Sequence, residues 1–179
     1  TGLYTPIRGD DDETWKMRVD VWRDQRTMLG GTDAGAHLDL LATFNATTAM
    51  LQKAVKERDL ISWEEAVSLI SDAPAKMYGI KERGQLTEGY FADVNVINPE
   101  TIALRPTEVR HDLPGGAWRL YGAADGYDHV LCNGAEIVRH GEFTSNRPGA
   151  MLRSGTDTSG TVAEARLSVL GKDAEVLGA

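Results

Sequence analysis

Thr27-Met28-Leu29-Gly30-Gly31-Thr32-Asp33-Ala34-Gly35-Ala36-His37 sets a carboxylate directly after a short apolar run and surrounds it with residues that have almost no side chain. The run is too brief for periodicity to separate helix from strand. Because a helical stretch follows it, it reads as a buried parallel strand. At the C-terminal end of such a strand, glycine and alanine let a ligand or metal centre approach the backbone closely. The same residues also fit a plain strand-to-helix turn in which Asp33 is a cap. From the residues alone, both readings of Asp33 stand. His37, four residues on, is either a substrate contact or a histidine at a helix start.

Outward from this stretch, the pattern is helical on both sides. Trp15, Val19 and Trp22 share one face of a short helix, with acids at its start and Arg23 and Arg26 at its end. Residues 43–58 lack glycine and place Leu51 and Val55 one turn apart, which predicts a second helix. Ser62-Trp63-Glu64-Glu65 is a capping box, with Ile61 positioned to staple onto Ala66. Pro74 begins another short helix that Gly79 ends. The texture then changes. Ala92-Asp93-Val94-Asn95-Val96 alternates with period two, and apolar runs flank Asn133-Gly134, a hairpin turn that needs positive φ twice. The expected boundary lies at residues 79–84, with helices before it and a mostly antiparallel sheet after it. Residues 154–160 read as a linker, and 162–177 as a terminal helix or a frayed tail.

Composition narrows the function. The chain has 179 residues, 41% of them hydrophobic, which is enough for a core. A net charge of −8 disfavours a nucleic-acid partner. No run reaches the roughly 20 apolar residues of a membrane span, so no membrane partner is expected. The single cysteine, Cys132, excludes an intrachain disulfide and fits a reducing, cytoplasmic setting. Thr1 stands where a Met would, so the chain reads as a piece of something longer. The four histidines, His37, His111, His129 and His140, form neither His-x-His nor an i, i+4 pair, whereas zinc needs three or four ligands. His111 reads as a turn stabiliser beside Asp112. His129 and His140 read as surface residues flanking the hairpin, and Cys132 as a core residue.

Residues 30–37 resemble the segment at the end of the eighth barrel strand in the amidohydrolase superfamily. Leu38-Asp39-Leu40-Leu41, Ala73-Pro74-Ala75, Tyr78-Gly79, Arg83-Gly84-Gln85-Leu86 and Glu88-Gly89-Tyr90-Phe91-Ala92-Asp93-Val94 follow in the order found in N-acyl-D-amino-acid deacylases. So do His111-Asp112-Leu113-Pro114-Gly115-Gly116 and Asn133-Gly134. The resemblance implies an α/β plus β fold. Residues 1–83 would hold the last strand and helices of a (β/α)8 barrel, 84–153 the C-terminal part of a composite β-sandwich, and 154–179 a linker and tail. It further implies a zinc-dependent hydrolase that cleaves N-acyl-D-amino acids to a D-amino acid and a carboxylate. In that reading Asp33 shuttles a proton beside the metal and His37 contacts the small-molecule substrate. The zinc ligands come from earlier barrel strands in that family, so none is expected here and the isolated piece is expected to be inactive. Alternatives are a cyclic amidase of the hydantoinase or dihydroorotase type, and a non-catalytic structural domain. Exposed sheet edges would be covered by self-association or by a missing N-terminal segment. Asn95 and Asn98 stand where deacylases carry an apolar residue and an Asp, a departure that bears on sheet packing.

Overall fold

The structure, a computed structural model, describes residues 9–160 except 25, 33, 34, 36, 41 and 42. Helix α1 (Asp12–Arg23) starts where Asp11 accepts the Thr14 amide at 2.8 Å, and its acidic first turn and basic last turn suit the helix dipole. Trp15 and Val19 form its buried face. Helix α2 (Ala46–Met50) passes directly into a π-helical segment, Leu51–Lys56. Helices α3 (Trp63–Ile70) and α4 (Asp72–Met77) follow. Ser62 caps α3, its hydroxyl accepting the Glu65 amide at 3.1 Å. The reciprocal half of the expected capping box is replaced by a longer-range contact. The Glu65 carboxylate turns to Arg23 in a two-pronged pair at 2.7 and 2.8 Å, which ties α3 to α1. Helix α4 begins two residues before Pro74, and Gly79, two residues past its end, has a φ of 61°.

Among the described residues eight short strands follow: β1 (Val94–Ile97), β2 (Ala103–Leu104), β3 (Glu108–Arg110), β4 (Arg119–Tyr121), β5 (Ala124–Asp125), β6 (Tyr127–Cys132), β7 (Ala135–Arg139) and β8 (Glu142–Phe143). All their pairings are antiparallel: one sheet in the order β1-β6-β7-β8, and two ladders, β2 with β5 and β3 with β4. The β6–β7 hairpin turns at Asn133 and Gly134 with φ of 47° and 79°, the double positive φ that the Asn-Gly pair predicts. Around that turn Asp93 accepts the Asn133 amide at 2.8 Å, and Arg83 pairs with both Asp93 and the Asn133 side chain. The period-two burial expected along β1 is not realised. A register shift between Val96 and Ile97 leaves Val96 exposed beside Asn95. Asn98 ends that strand by accepting the Glu100 amide at 3.0 Å, so one unexpected Asn is exposed and the other closes a turn.

Residues 27–29, expected as a buried parallel strand, form no strand. The amide and the hydroxyl of Thr27 both bond the Asp24 carbonyl, at 2.9 and 3.0 Å, so the segment begins by closing α1. Among the described residues no strand lies beside it to receive a ladder. Residues 154–160 fold back on the end of α4: Thr158 bridges Ile80, and the Ser159 amide donates to the Gly79 carbonyl at 2.7 Å. The tail expected over 162–177 lies outside the described residues.

One core serves helices and strands together. Trp15, Val19, Met50, Leu51, Ala54, Val55, Ile61 and Ala66 meet there, and Ile102, from the loop before β2, is fully buried among them. Lys56 Nζ donates to the carbonyls of Glu100 and Ile102 at 2.6 and 3.1 Å. Gln52 accepts the Leu104 amide at 2.7 Å, and Thr48 bonds the Tyr127 hydroxyl at 2.9 Å. Gly126 presses its backbone on Ile102: an added Cβ would lie 2.5 Å from Ile102 Cα, at a φ of 85°. Gly126→Ala is therefore expected to cost about 3 kcal/mol or more, and Gly134→Ala, with nothing within 4 Å of its added Cβ, only about 1 kcal/mol. Urea denaturation of the two variants measures the gap; equal losses would contradict this packing of Ile102.

Candidate active site

The described residues of the glycine-rich segment follow α1 without regular secondary structure and lie largely at the surface. Gly30, Gly31 and Thr32 are exposed, and no atom lies within 4 Å of where a Cβ on either of those glycines would sit. Gly35 has a φ of 95°, which a residue with a side chain rarely adopts. Open space lies where a Cβ on Gly30, Gly31 or Gly35 would sit. Residues 28–32 also form one wall of a cavity of about 360 Å³, with Trp22, Met50, Ile70 and Tyr78 opposite them. Asp33 lies outside the described residues. His37 is exposed at a turn, its carbonyl accepting the Leu40 amide at 3.0 Å.

A strand distant in sequence holds the next residue. The Leu120 amide of β4 donates to the Leu38 carbonyl at 2.7 Å, and the Leu120 side chain is buried. This bond links the residue just after 32–37 to one four positions past 111–116, the two stretches whose residues are most particular. The second is a tight turn in which Pro114 opens a single 3-10 turn (Pro114–Gly116) and Gly115 and Gly116 have φ of 73° and 74°. Asp112 before that turn and Arg119 after it form a two-pronged ion pair at 2.8 and 2.7 Å. The guanidinium hydrogen-bonded to Asp112 holds its carboxyl below the usual carboxylate range. His111 is exposed, with Nδ1 3.4 Å from the Gly116 carbonyl, so it braces the turn as expected. Arg119 was not singled out by the sequence reading. Its signal was an arginine three residues past a Pro-Gly-Gly turn that an aspartate precedes.

The remaining candidates are engaged elsewhere. His129 Nδ1 is 2.6 Å from Glu136 Oε1, and its ring lies 5.3 Å from that of His140, on the hairpin far along the chain from the glycine-rich segment. Cys132 is half-buried rather than fully in the core, because β6 has only one thin sheet around it and its thiol lies against Asp93. Among the described residues no three His, Cys, Asp or Glu side chains converge as a metal set. Likewise no described helix is long and apolar enough to cross a membrane.

Glu136 provides a pH test of the hairpin. Hydrogen bonds from Arg139 and then His129 lower its pKa from 4.5 to about 2. A carboxyl depressed on folding adds stability above its unfolded pKa and loses it as pH falls through the folded one. Glu136→Gln is thus expected to flatten the stability loss between pH 4.5 and about 2, read as urea midpoints at successive pH values. A variant as acid-sensitive as the parent would contradict the pairing.

Comparison with known proteins adds the following. The model of the amidohydrolase family matches residues 20–166, which include both 30–37 and 111–116. The chain is 33% identical over 144 residues to the N-acyl-D-glutamate deacylase of Alcaligenes xylosoxydans xylosoxydans, covering 78% of this chain and 27% of that protein. It is 31% identical over 130 residues to the D-aminoacylase of the same organism, covering 70% of this chain and 24% of that protein. A dihydroorotase of Lactobacillus gasseri is 40% identical over a shorter span of 55 residues, 31% of this chain and 13% of that protein. The chain thus spans about a quarter of the length of the deacylases it matches. No solved structure matches it.

Proposed function

The chain belongs to the amidohydrolase family, and from that premise we propose that it is part of a hydrolase that splits N-acyl-D-amino acids into a D-amino acid and a carboxylate. The observation that carries this reading is the likeness to deacylases over 78% of the chain. The dihydroorotase likeness covers 31% of the chain at 40% identity and 54% at 29% identity. The second reading, a cyclic amidase, therefore rests on a shorter stretch of sequence. In the proposed reaction Asp33 takes a proton from the attacking water as its oxygen bonds the acyl carbon. The carbon–nitrogen bond then breaks, and Asp33 returns that proton to the departing amine. His37, exposed four residues on, contacts the substrate.

The family expectation of a metal, and zinc in particular, does not find its ligands here, since no such set converges among the described residues. We assign those ligands to other segments of the complete protein and route no step through the ion. The barrel and sandwich named from the resemblance remain part of the same proposal, supported by the family match and by the antiparallel strands after residue 93. A reducing, cytoplasmic setting is proposed on the single cysteine.

The direct test is release of free D-amino acid from N-acetyl-D-glutamate by the complete gene product. Asp33→Ala is expected to lower turnover by about a thousandfold or more with an unchanged circular dichroism spectrum. Retained turnover would remove Asp33 from the reaction, and hydrolysis of dihydroorotate instead would favour the cyclic amidase. The isolated 179-residue chain carries Leu86, Phe143 and Met151 at 84, 76 and 82% exposure. It is expected to self-associate, and sedimentation as a compact monomer would contradict that.

A further inference from the structure

The β3–β4 ladder has a feature that strand pairing alone does not require. Arg110 and Arg119 stand directly opposite each other across it, an arrangement of like charges that ordinarily destabilises an antiparallel pair. Each is neutralised along its own strand or turn. Arg110 pairs with Glu108 at 2.5 Å, and Arg119 pairs with Asp112 at 2.7 Å. The ring of Tyr121 receives both guanidiniums, at 3.5 Å for Arg110 and 5.1 Å for Arg119. The result is a stiff hairpin whose end is locked by the two-pronged Arg119–Asp112 pair. The residue after Arg119 is the one whose amide is given to Leu38. Gly122, just past the end of β4, lies so close to Phe44 that an added Cβ would be 2.5 Å from the ring, so the chain leaving β4 meets the lead into α2.

We propose that Arg119 is a positioning residue for His37: by clamping Asp112 it fixes β4, and β4 holds the backbone of the His37–Leu38 turn through the Leu120 amide. The functional part of this inference rests on the deacylase reading, because it takes His37 as a substrate contact. The mechanical part does not. A plain surface ion pair would stabilise the hairpin and leave the distant turn unaffected. A positioning pair transmits its loss to the Leu120 amide and, in the complete enzyme, to substrate binding.

Two measurements separate these outcomes. In the 179-residue chain, Arg119→Ala is expected to speed hydrogen exchange at the Leu120 amide about fivefold while exchange at Ala54, in the shared core, stays the same. The exchanged pair Asp112→Arg with Arg119→Asp is expected to restore slow exchange. In the complete protein, Arg119→Ala is expected to raise KM for N-acetyl-D-glutamate about fivefold with little change in kcat, and to add nothing further when His37→Ala is already present. Unchanged exchange at Leu120 overturns the inference, whatever the enzyme hydrolyses. Additive KM effects of the two substitutions overturn the link to His37. A parent protein without deacylase activity overturns the proposed function and leaves the exchange result to decide the mechanical part.

Discussion

Ile102 is the residue on which the described structure turns. It comes from the strand half of the sequence, yet it is fully buried among side chains of α1, α2 and the π-helical segment. Burying such a side chain contributes on the order of 2 kcal/mol. The polar contacts around it add direction: Lys56 and Gln52 bond backbone groups on both sides of Ile102, and Gly126 seats the next strand on it. Ile97 and Tyr127 pack against the same core from the strand side.

The same anchoring has a consequence for the candidate site. The described residues of the glycine-rich segment form no ladder, and they are mostly exposed. Order reaches it from outside: Thr27 is tied to the end of α1, and Leu38 to β4. A loop of this kind owes its geometry to elements remote in sequence.

What was legible in the sequence was local. The Asn133-Gly134 turn, the Ser62 cap and the aromatic face of α1 are decided by neighbouring residues, and each formed as those residues predict. What was not legible depended on distant partners. Glu65 looked like the second half of a capping box and instead met Arg23, 42 positions away. Residues 27–29 looked like a strand, but a strand exists only when another lies beside it, and none does among the described residues. The bulge that exposes Val96 arises in pairing with β6 and has no local signature. For the site, the small residues around Asp33 and the Pro-Gly-Gly turn announced themselves. The Leu38–Leu120 bond did not, because a backbone hydrogen bond across 82 positions leaves no residue-type signal.

The central claim is that helices, sheet and site loop form one cooperative unit anchored at Ile102. It is tested most directly by following the amides of Ala54 in the π-helical segment and Val130 in β6 by NMR through a single urea titration. The account predicts coincident midpoints for the two, as expected of one core. Separate midpoints, with the sheet melting apart from the helices, would contradict it.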